Sequence, residues 1–139
     1  MQESNLPNRF AWPVRVYYED TDAQGVVYYA NYFKFMERAR TEWIRSLGIE
    51  QDSMLRDQRR MFVVVESRAE FVIPARFNDE LIVTAALLEK ARASFLIEQN
   101  IYRGSLEGEL LCRGTTRAAF VNADTLRPAR LPESLFEES

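Results

Sequence analysis

The sequence predicts an α+β domain in which one long amphipathic helix lies across an antiparallel sheet of five strands. Three observations lead there. Only one stretch, residues 31–47, carries an apolar stripe with the 3.6-residue period of a helix. Everything after Arg60 reads with the two-residue period of strands, or as the turns between them. The 139 residues, 47% apolar and 28% charged, suit one domain over residues 1–139, since domains cluster at roughly 100–150 residues. Such a chain buries about two thirds of its unfolded surface and needs no disulfide, and the lone Cys112 offers none.

The elements follow in order. Residues 1–9 are polar and are expected to form a ragged N-terminus. Pro13 opens a first strand over residues 14–18, whose Val and Tyr content favours extended chain, with the proline at a tolerated first position. Residues 19–25, acidic and closed by Gly25, are a loop. In the helix Tyr32, Met36, Ala39, Trp43 and Leu47 share one face, while Lys34, Glu37, Arg38, Arg40, Glu42 and Arg45 fill much of the remainder. Asn31 is a candidate N-cap, a start one turn earlier near Tyr28 is equally open, and Gly48 stands where a left-handed residue ends a helix. A short helical or loop segment around residues 49–57 leads to a strand in which Met61, Val63, Val65, Ala69, Phe71 and Ile73 alternate with Glu66, Arg68 and Glu70. Further strands are expected over residues 80–91, 93–103 and 109–122, with a hairpin turn at residues 104–108. One helix leaves the second face of such a sheet bare and a long strand unpaired, so a homodimer or homotetramer is expected.

Composition narrows the chemistry. There is no histidine, so Ser-His-Asp and Cys-His sites, His-ligated metals and imidazole acid–base catalysis are all excluded. One cysteine makes neither a thiolate zinc site nor a redox pair. A net charge of −3 argues against a body dedicated to nucleic acid or an anionic membrane. The polar first residues and the absence of any apolar run of about 20 residues point to the cytoplasm, where an unpaired cysteine is at home.

What remains is carboxylates, hydroxyls and backbone dipoles. Glu19, Asp20 and Asp22 lie in a loop that leads through the apolar residues Val26, Val27 and Tyr28 to a helix N-terminus, where free N–H groups carry roughly half a positive charge. A carboxylate, free donors and a dry wall are what a thioester or ester hydrolase requires: the donors polarise the carbonyl, and the carboxylate attacks it or deprotonates water. Acidic residues before a helix serve more often in turns and caps, so this pattern alone names no reaction.

Resemblance goes further. Residues 12–32, with Glu19-Asp20-Thr21-Asp22-Ala23-Gln24-Gly25 at their centre, together with residues 36–42, 62–64, 75–79 and 127–132, resemble the hotdog-fold acyl-CoA thioesterases of the 4-hydroxybenzoyl-CoA thioesterase type, most of all their Tol-Pal-associated members. The likeness covers nearly the whole chain. It implies a hotdog fold and hydrolysis of an acyl-CoA to acid and thiol, without metal or redox cofactor. It also implies a site between subunits. Asp22, the second acid of the family's Asp-x-Asp-x-x-Gly motif, takes the role of catalytic carboxylate, as nucleophile or as general base. The thioester carbonyl accepts a backbone N–H seven positions on, at Tyr29. Tol-Pal-associated members often carry histidine there; a main-chain donor survives that change, and acyl preference is what it alters. Gly25 shapes the substrate-binding turn, and Val63, Val64 and Val65 of the neighbouring chain close the acyl pocket. Arg92, with Lys90, Arg127 and Arg130, is the candidate for the coenzyme A phosphates, against the ordinary role of such residues as exposed turn cations.

Other residues carry less. Asp20 suits a structural loop position better than a second catalyst, Glu37 a solvated helix face beside Arg38 and Arg40, and Cys112 a buried apolar position. Acyl carrier protein presents the same phosphopantetheine arm and is an alternative carrier. A dehydratase on this fold would depend on the histidine that is missing. The rival outside enzymes is a non-catalytic acyl-binding or envelope-associated interaction module.

Overall fold

The computed structural model describes residues 9–133, 135 and 136. Strand β1 spans Phe10–Arg15 and is followed by a single 3-10 turn, Tyr18–Asp20. Helices α1, Ala30–Ser46, and α2, Gln51–Gln58, come next, then β2 Arg60–Phe71, β3 Glu80–Lys90, β4 Ser94–Arg103 and β5 Leu110–Asn122. The five strands form one antiparallel sheet in the order β1-β3-β4-β5-β2. This is the expected α+β architecture, with α2 resolving the segment left open between helix and loop. The expected N-terminal tail lies outside the described residues except for Arg9.

Helix α1 seats its stripe on the sheet as its periodicity predicts: Tyr32, Phe35, Met36, Ala39, Trp43 and Ile44 are buried. Its first half packs with Val14, Leu81, Val83, Ile101, Leu111 and Cys112. Its second half packs with Phe95, Ile97, Ala118 and Phe120. Trp43 is closed from outside by Phe136, stacked at 5.2 Å between ring centroids. The helix comes close enough that β5 has no room for a side chain beneath it. A Cβ on Gly114 would stand 2.6 Å from the Met36 methyl and 3.0–3.1 Å from the carbonyl oxygens of Arg68 and Gln99. Gln99, buried on β4, bridges the layers by donating to the Met36 carbonyl at 2.8 Å while accepting from Arg40 at 3.0 Å.

Three expectations change. The first strand runs Phe10–Arg15 instead of residues 14–18, so Pro13 lies inside it, opposite Ile82. The proline is tolerated because β1 is an edge strand, where one N–H position faces away from the ladder. Tyr17 and Tyr18 leave the strand because the Asp20 carboxylate accepts the Tyr17 N–H at 2.8 Å and folds the chain into the 3-10 turn. Helix α1 begins at Ala30 with Tyr29 as N-cap, so Asn31 is not the cap; Gly48, at φ +90°, follows the helix as expected. In β2 the register slips between Val64 and Glu66. Beyond the slip the alternation holds, with Ala69 facing the core. Before it the phase is reversed, and Phe62, against Phe95 and Phe120, takes the inward position expected for Met61 and Val63. A bulge inserts one residue and so moves every side chain on one side of it to the other face.

The sheet face away from α1 is not a bare apolar surface where β5 meets its neighbours. Arg117 pairs with Glu89 at 2.7 Å, Arg113 with Glu70 at 3.4 Å and Arg68 with Glu66 at 3.0 Å. Among the described residues the outer side of β2 pairs with no strand, and no residue of β2 is fully buried. Substituting Gly114→Ala is expected to cost about 1–3 kcal/mol by overpacking, read as a lower Tm in thermal unfolding, whereas Gly48→Asn, at a left-handed position that Asn tolerates, should cost less.

Candidate active site

The site is built on the loop between the 3-10 turn and α1. Asp20 is 5% exposed. Its Oδ2 accepts from Tyr17 N–H at 2.8 Å and its Oδ1 from the Asn31 amide at 3.1 Å, while its carbonyl accepts Tyr28 N–H at 3.1 Å. The chain then reverses. Asp22 N–H donates to the Val26 carbonyl at 2.9 Å, Gly25 N–H donates back to the Asp22 carbonyl at 3.0 Å, and Gly25 sits at φ +80°, where side chains are disfavoured. The Asp22 carboxylate is steered by the same turn, its Oδ1 accepting from Gln24 N–H at 2.9 Å. Among the described residues its Oδ2 has no hydrogen bond.

A strap over residues 73–79 holds the other side of this loop. Val27 N–H donates to the Ala75 carbonyl at 2.8 Å and Phe77 N–H to the Gly25 carbonyl at 3.2 Å. Arg103, at the end of β4, ties the strap down through the Pro74 carbonyl at 2.8 Å and the Asp79 carboxylate at 3.1 Å. From α1 the Tyr32 hydroxyl accepts the Ala75 N–H at 2.9 Å. Burial pushes the Tyr32 phenol above the usual tyrosine range, against the Ala75 bond that favours its charged form.

Between loop and strap opens a cleft of about 340 Å³ lined by Asp22, Val26, Val27, Tyr28, Tyr29, Tyr32, Phe71, Val72, Ile73 and Pro74. Phe71 is its aromatic hub, with ring centroids 5.6 Å from Tyr29 and 5.4 Å from Tyr32. The backbone at its head is a helix start with open donors. Asn31 and Tyr32 N–H groups return to the Tyr28 and Tyr29 carbonyls, at 2.8 and 3.1 Å, but among the described residues the Tyr29 N–H has no acceptor. One cleft therefore joins a carboxylate with a free oxygen, an unused N–H at the positive end of a 17-residue helix, and apolar walls.

The other expected residues lie elsewhere in the single chain. Val63 and Val64 line a second cleft, of about 190 Å³, with Glu37, Arg40 and Thr41; Val65, at the register slip, is 57% exposed and lines neither. Arg92 joins Lys90 and Arg130 in a basic cleft of about 430 Å³, without Arg127. That cleft is at the far end of β3 from Asp22, separated by eleven residues of strand, about 35 Å of extended chain. Cys112 is fully buried, and burial, aided by Glu70, raises its thiol to about 12, which leaves it no nucleophilic role. No group of three or more acidic or cysteine side chains converges among the described residues in a way that would hold a metal. The sequence did not single out Phe71, Ile73 or Pro74 as cleft residues. Phe71 and Ile73 were marked only by strand periodicity and Pro74 only as the start of a turn, which state a face or a bend and not a neighbour.

A helix cradled in a five-stranded antiparallel sheet, with an acidic loop at its N-terminus, defines a hotdog-fold protein with a hydrolase-like site. Residues 16–138 match the model of the thioesterase-like superfamily, and the chain belongs to that family. Acyl-CoA thioesterase YbgC of Haemophilus influenzae is 40% identical over 130 residues, covering 94% of this chain and 93% of that protein. A probable thioesterase from Bartonella henselae, known by crystal structure, superposes with a TM-score of 0.82 at 31% identity, over 89% of this chain and 99% of its own. The 4-hydroxybenzoyl CoA thioesterase from Pseudomonas sp. strain CBS-3 shares the fold at 22% identity, with a TM-score of 0.81 over 89% and 94% of the two chains.

Two outcomes are expected from this geometry. Tyr29 has φ −61°, which proline adopts without strain. Tyr29→Pro, which deletes only the N–H from the backbone, should lower kcat about a hundredfold to a thousandfold, while Tyr29→Phe keeps the donor and stays within a few-fold; circular dichroism checks that both fold. A thiol reagent at pH 8 should leave Cys112 unmodified in the native protein and label it fully in denaturant.

Proposed function

We propose that this protein hydrolyses an acyl-CoA thioester to the free acid and coenzyme A thiol, with Asp22 as the reacting carboxylate and the Tyr29 N–H as the donor to the thioester oxygen. The observation that carries the reading is the shared cleft: Asp22, whose Oδ2 has no hydrogen bond among the described residues, and Tyr29, whose N–H has no acceptor among them, line one mostly apolar space. As the carbonyl carbon becomes tetrahedral its oxygen gains negative charge, which the helix N-terminus stabilises more than it stabilises the neutral carbonyl. Asp22 either adds to that carbon, giving an anhydride that water opens, or takes a proton from the attacking water. In both routes the thiolate leaves and is protonated, and acid and thiol are the products. The 40% identity to a protein named as an acyl-CoA thioesterase supports the substrate class.

A second copy completes the site in this reading. The outer side of β2 is unpaired, and two-fold pairing of β2 with its mate runs antiparallel. The Phe71 end of one protomer then lies near the Arg60 end of the other, which brings Val63, Val64 and Val65 of the partner subunit toward the Asp22 cleft. It also carries the basic cleft of Lys90, Arg92 and Arg130 nearer to the partner's site than to its own, where it suits the phosphates of a coenzyme A arm. Acyl carrier protein is the alternative carrier of that arm. In this reading, which rests on the resemblance to Tol-Pal-associated thioesterases, the protein works in the cytoplasm beside that envelope system. Separately, none of the described helices is long and apolar enough to cross a membrane.

Asp22→Asn, which keeps the size and removes the charge, is expected to lower kcat at least about a hundredfold in a folded protein, measured by thiol release across a panel of acyl-CoAs. Turnover near the wild-type value would remove Asp22 from the reaction, and no thiol release by the folded wild-type protein from any acyl-CoA of the panel would return the non-catalytic acyl-binding module as the better reading. Light scattering at micromolar concentration should give a dimer or tetramer, and activity should fall on dilution in step with dissociation; a fully active monomer would overturn the shared site.

A further inference from the structure

Asp20 is a buried carboxylate whose hydrogen bonds among the described residues come from neutral groups: Tyr17 N–H at 2.8 Å and the Asn31 side-chain amide at 3.1 Å. The same amide lies 3.4 Å from the Asp20 carbonyl, which also takes the Tyr28 N–H at 3.1 Å. Eleven residues apart in sequence, Asp20 and Asn31 thus meet through both side chain and backbone. Asp20 stands two residues before Asp22, and Asn31 two residues after Tyr29. The bond therefore closes the loop that carries the carboxylate at one end and the oxyanion donor at the other. The Asp20 carbonyl beside it holds the Tyr28 N–H, and among the described residues the N–H of the next residue, Tyr29, has no acceptor.

Resting on the reaction proposed above, we infer that Asp20 and Asn31 are positioning residues whose buried amide–carboxylate bond sets the separation of the Asp22 carboxylate from the Tyr29 N–H. Neither touches the reacting atoms. Neither Asp20 nor Asn31 lines the cleft, so their loss should leave substrate binding largely intact and act on the chemical step. A displacement of about 1 Å between reacting groups costs on the order of a hundredfold in rate.

The test is a reciprocal exchange in the full-length protein. Asn31→Ala and Asp20→Asn are each expected to lower kcat about tenfold to a hundredfold with KM within about twofold, at a temperature where thermal melts show both fully folded. In the double variant Asp20→Asn with Asn31→Asp, the residue at 20 keeps an oxygen for Tyr17 N–H and turns its amide toward the carboxylate at 31. That restores the bond with its polarity reversed and the net charge unchanged, so kcat should recover most of the loss. Amide hydrogen exchange at residues 22–29 should rise in Asn31→Ala and fall back in the double variant. Full kcat in a folded Asn31→Ala, a loss that follows the folded fraction or appears in KM instead of kcat, or a double variant as slow as the product of the singles would each overturn the inference. Failure of the reaction itself is distinguishable. If Asp22→Asn stays active while the exchange behaves as expected, the carboxylate loses its role and the clamp stands as what positions the Tyr29 N–H alone.

Discussion

Helix α1 buries Phe35, Met36 and Ala39 completely against the middle of the sheet, with Gly114 beneath Met36 and Gln99 bonded to the Met36 carbonyl, and the remaining geometry depends on that seat. A helix held this closely cannot slide or rotate without opening a cavity or striking the β5 backbone. Its N-terminus is therefore delivered to one place, above the ends of β1 and β3. There the loop from β1 and the strap from β2 are both tied to its first turn, by Asn31 and by Tyr32.

Around that point the backbone donors are used in a pattern that leaves an opening on one side. The N–H groups of Asp20, Thr21, Asp22, Gly25, Val27, Tyr28, Asn31 and Tyr32 all meet backbone carbonyls, and that of Gln24 meets the Asp22 carboxylate. Among the described residues the Tyr29 N–H does not, and Tyr29 lines the cleft with Asp22. A donor left without a protein partner at the mouth of an apolar cleft is bonded to water or to substrate. The loop is thus organised less to hold acids near one another than to separate their tasks. Asp20 turns inward and is consumed by structure; Asp22 turns outward with one oxygen fixed and one free.

Charge is distributed to match. The basic cleft of Lys90, Arg92 and Arg130 is at the opposite end of the sheet from Asp22, and the edge strand β2 runs between the two ends with its outer side unpaired. In the reading proposed above, two chains joined along β2 would bring the basic cleft of one toward the Asp22 cleft of the other, because a two-fold axis exchanges the ends.

Much of this was legible without coordinates. Helix periodicity identified α1 and its buried stripe, and two-residue alternation identified β3, β4 and β5 to within a few residues, because both signals arise from neighbours only two to four positions apart. The missing histidine removed whole classes of mechanism, and the motif around Asp22 named the loop through its resemblance to a family. What the sequence left open depended on distant partners. Tyr17 and Tyr18 have the propensity of strand residues, but a carboxylate three positions on drew them into a turn. Residues 61–65 of β2 are apolar without a break, so their order alone sets no phase, and one bulge at Val65 put Phe62, not Met61 or Val63, on the inward face. That Phe71, Ile73 and Pro74 would wall the same cleft as Asp22, and that Arg92 would stand a full strand away from it, was decided by the sheet order β1-β3-β4-β5-β2. Local pattern determines what each segment is; which segments meet is set by the burial of α1 and the pairing of strands far apart in the chain, and only the tertiary structure contains that information.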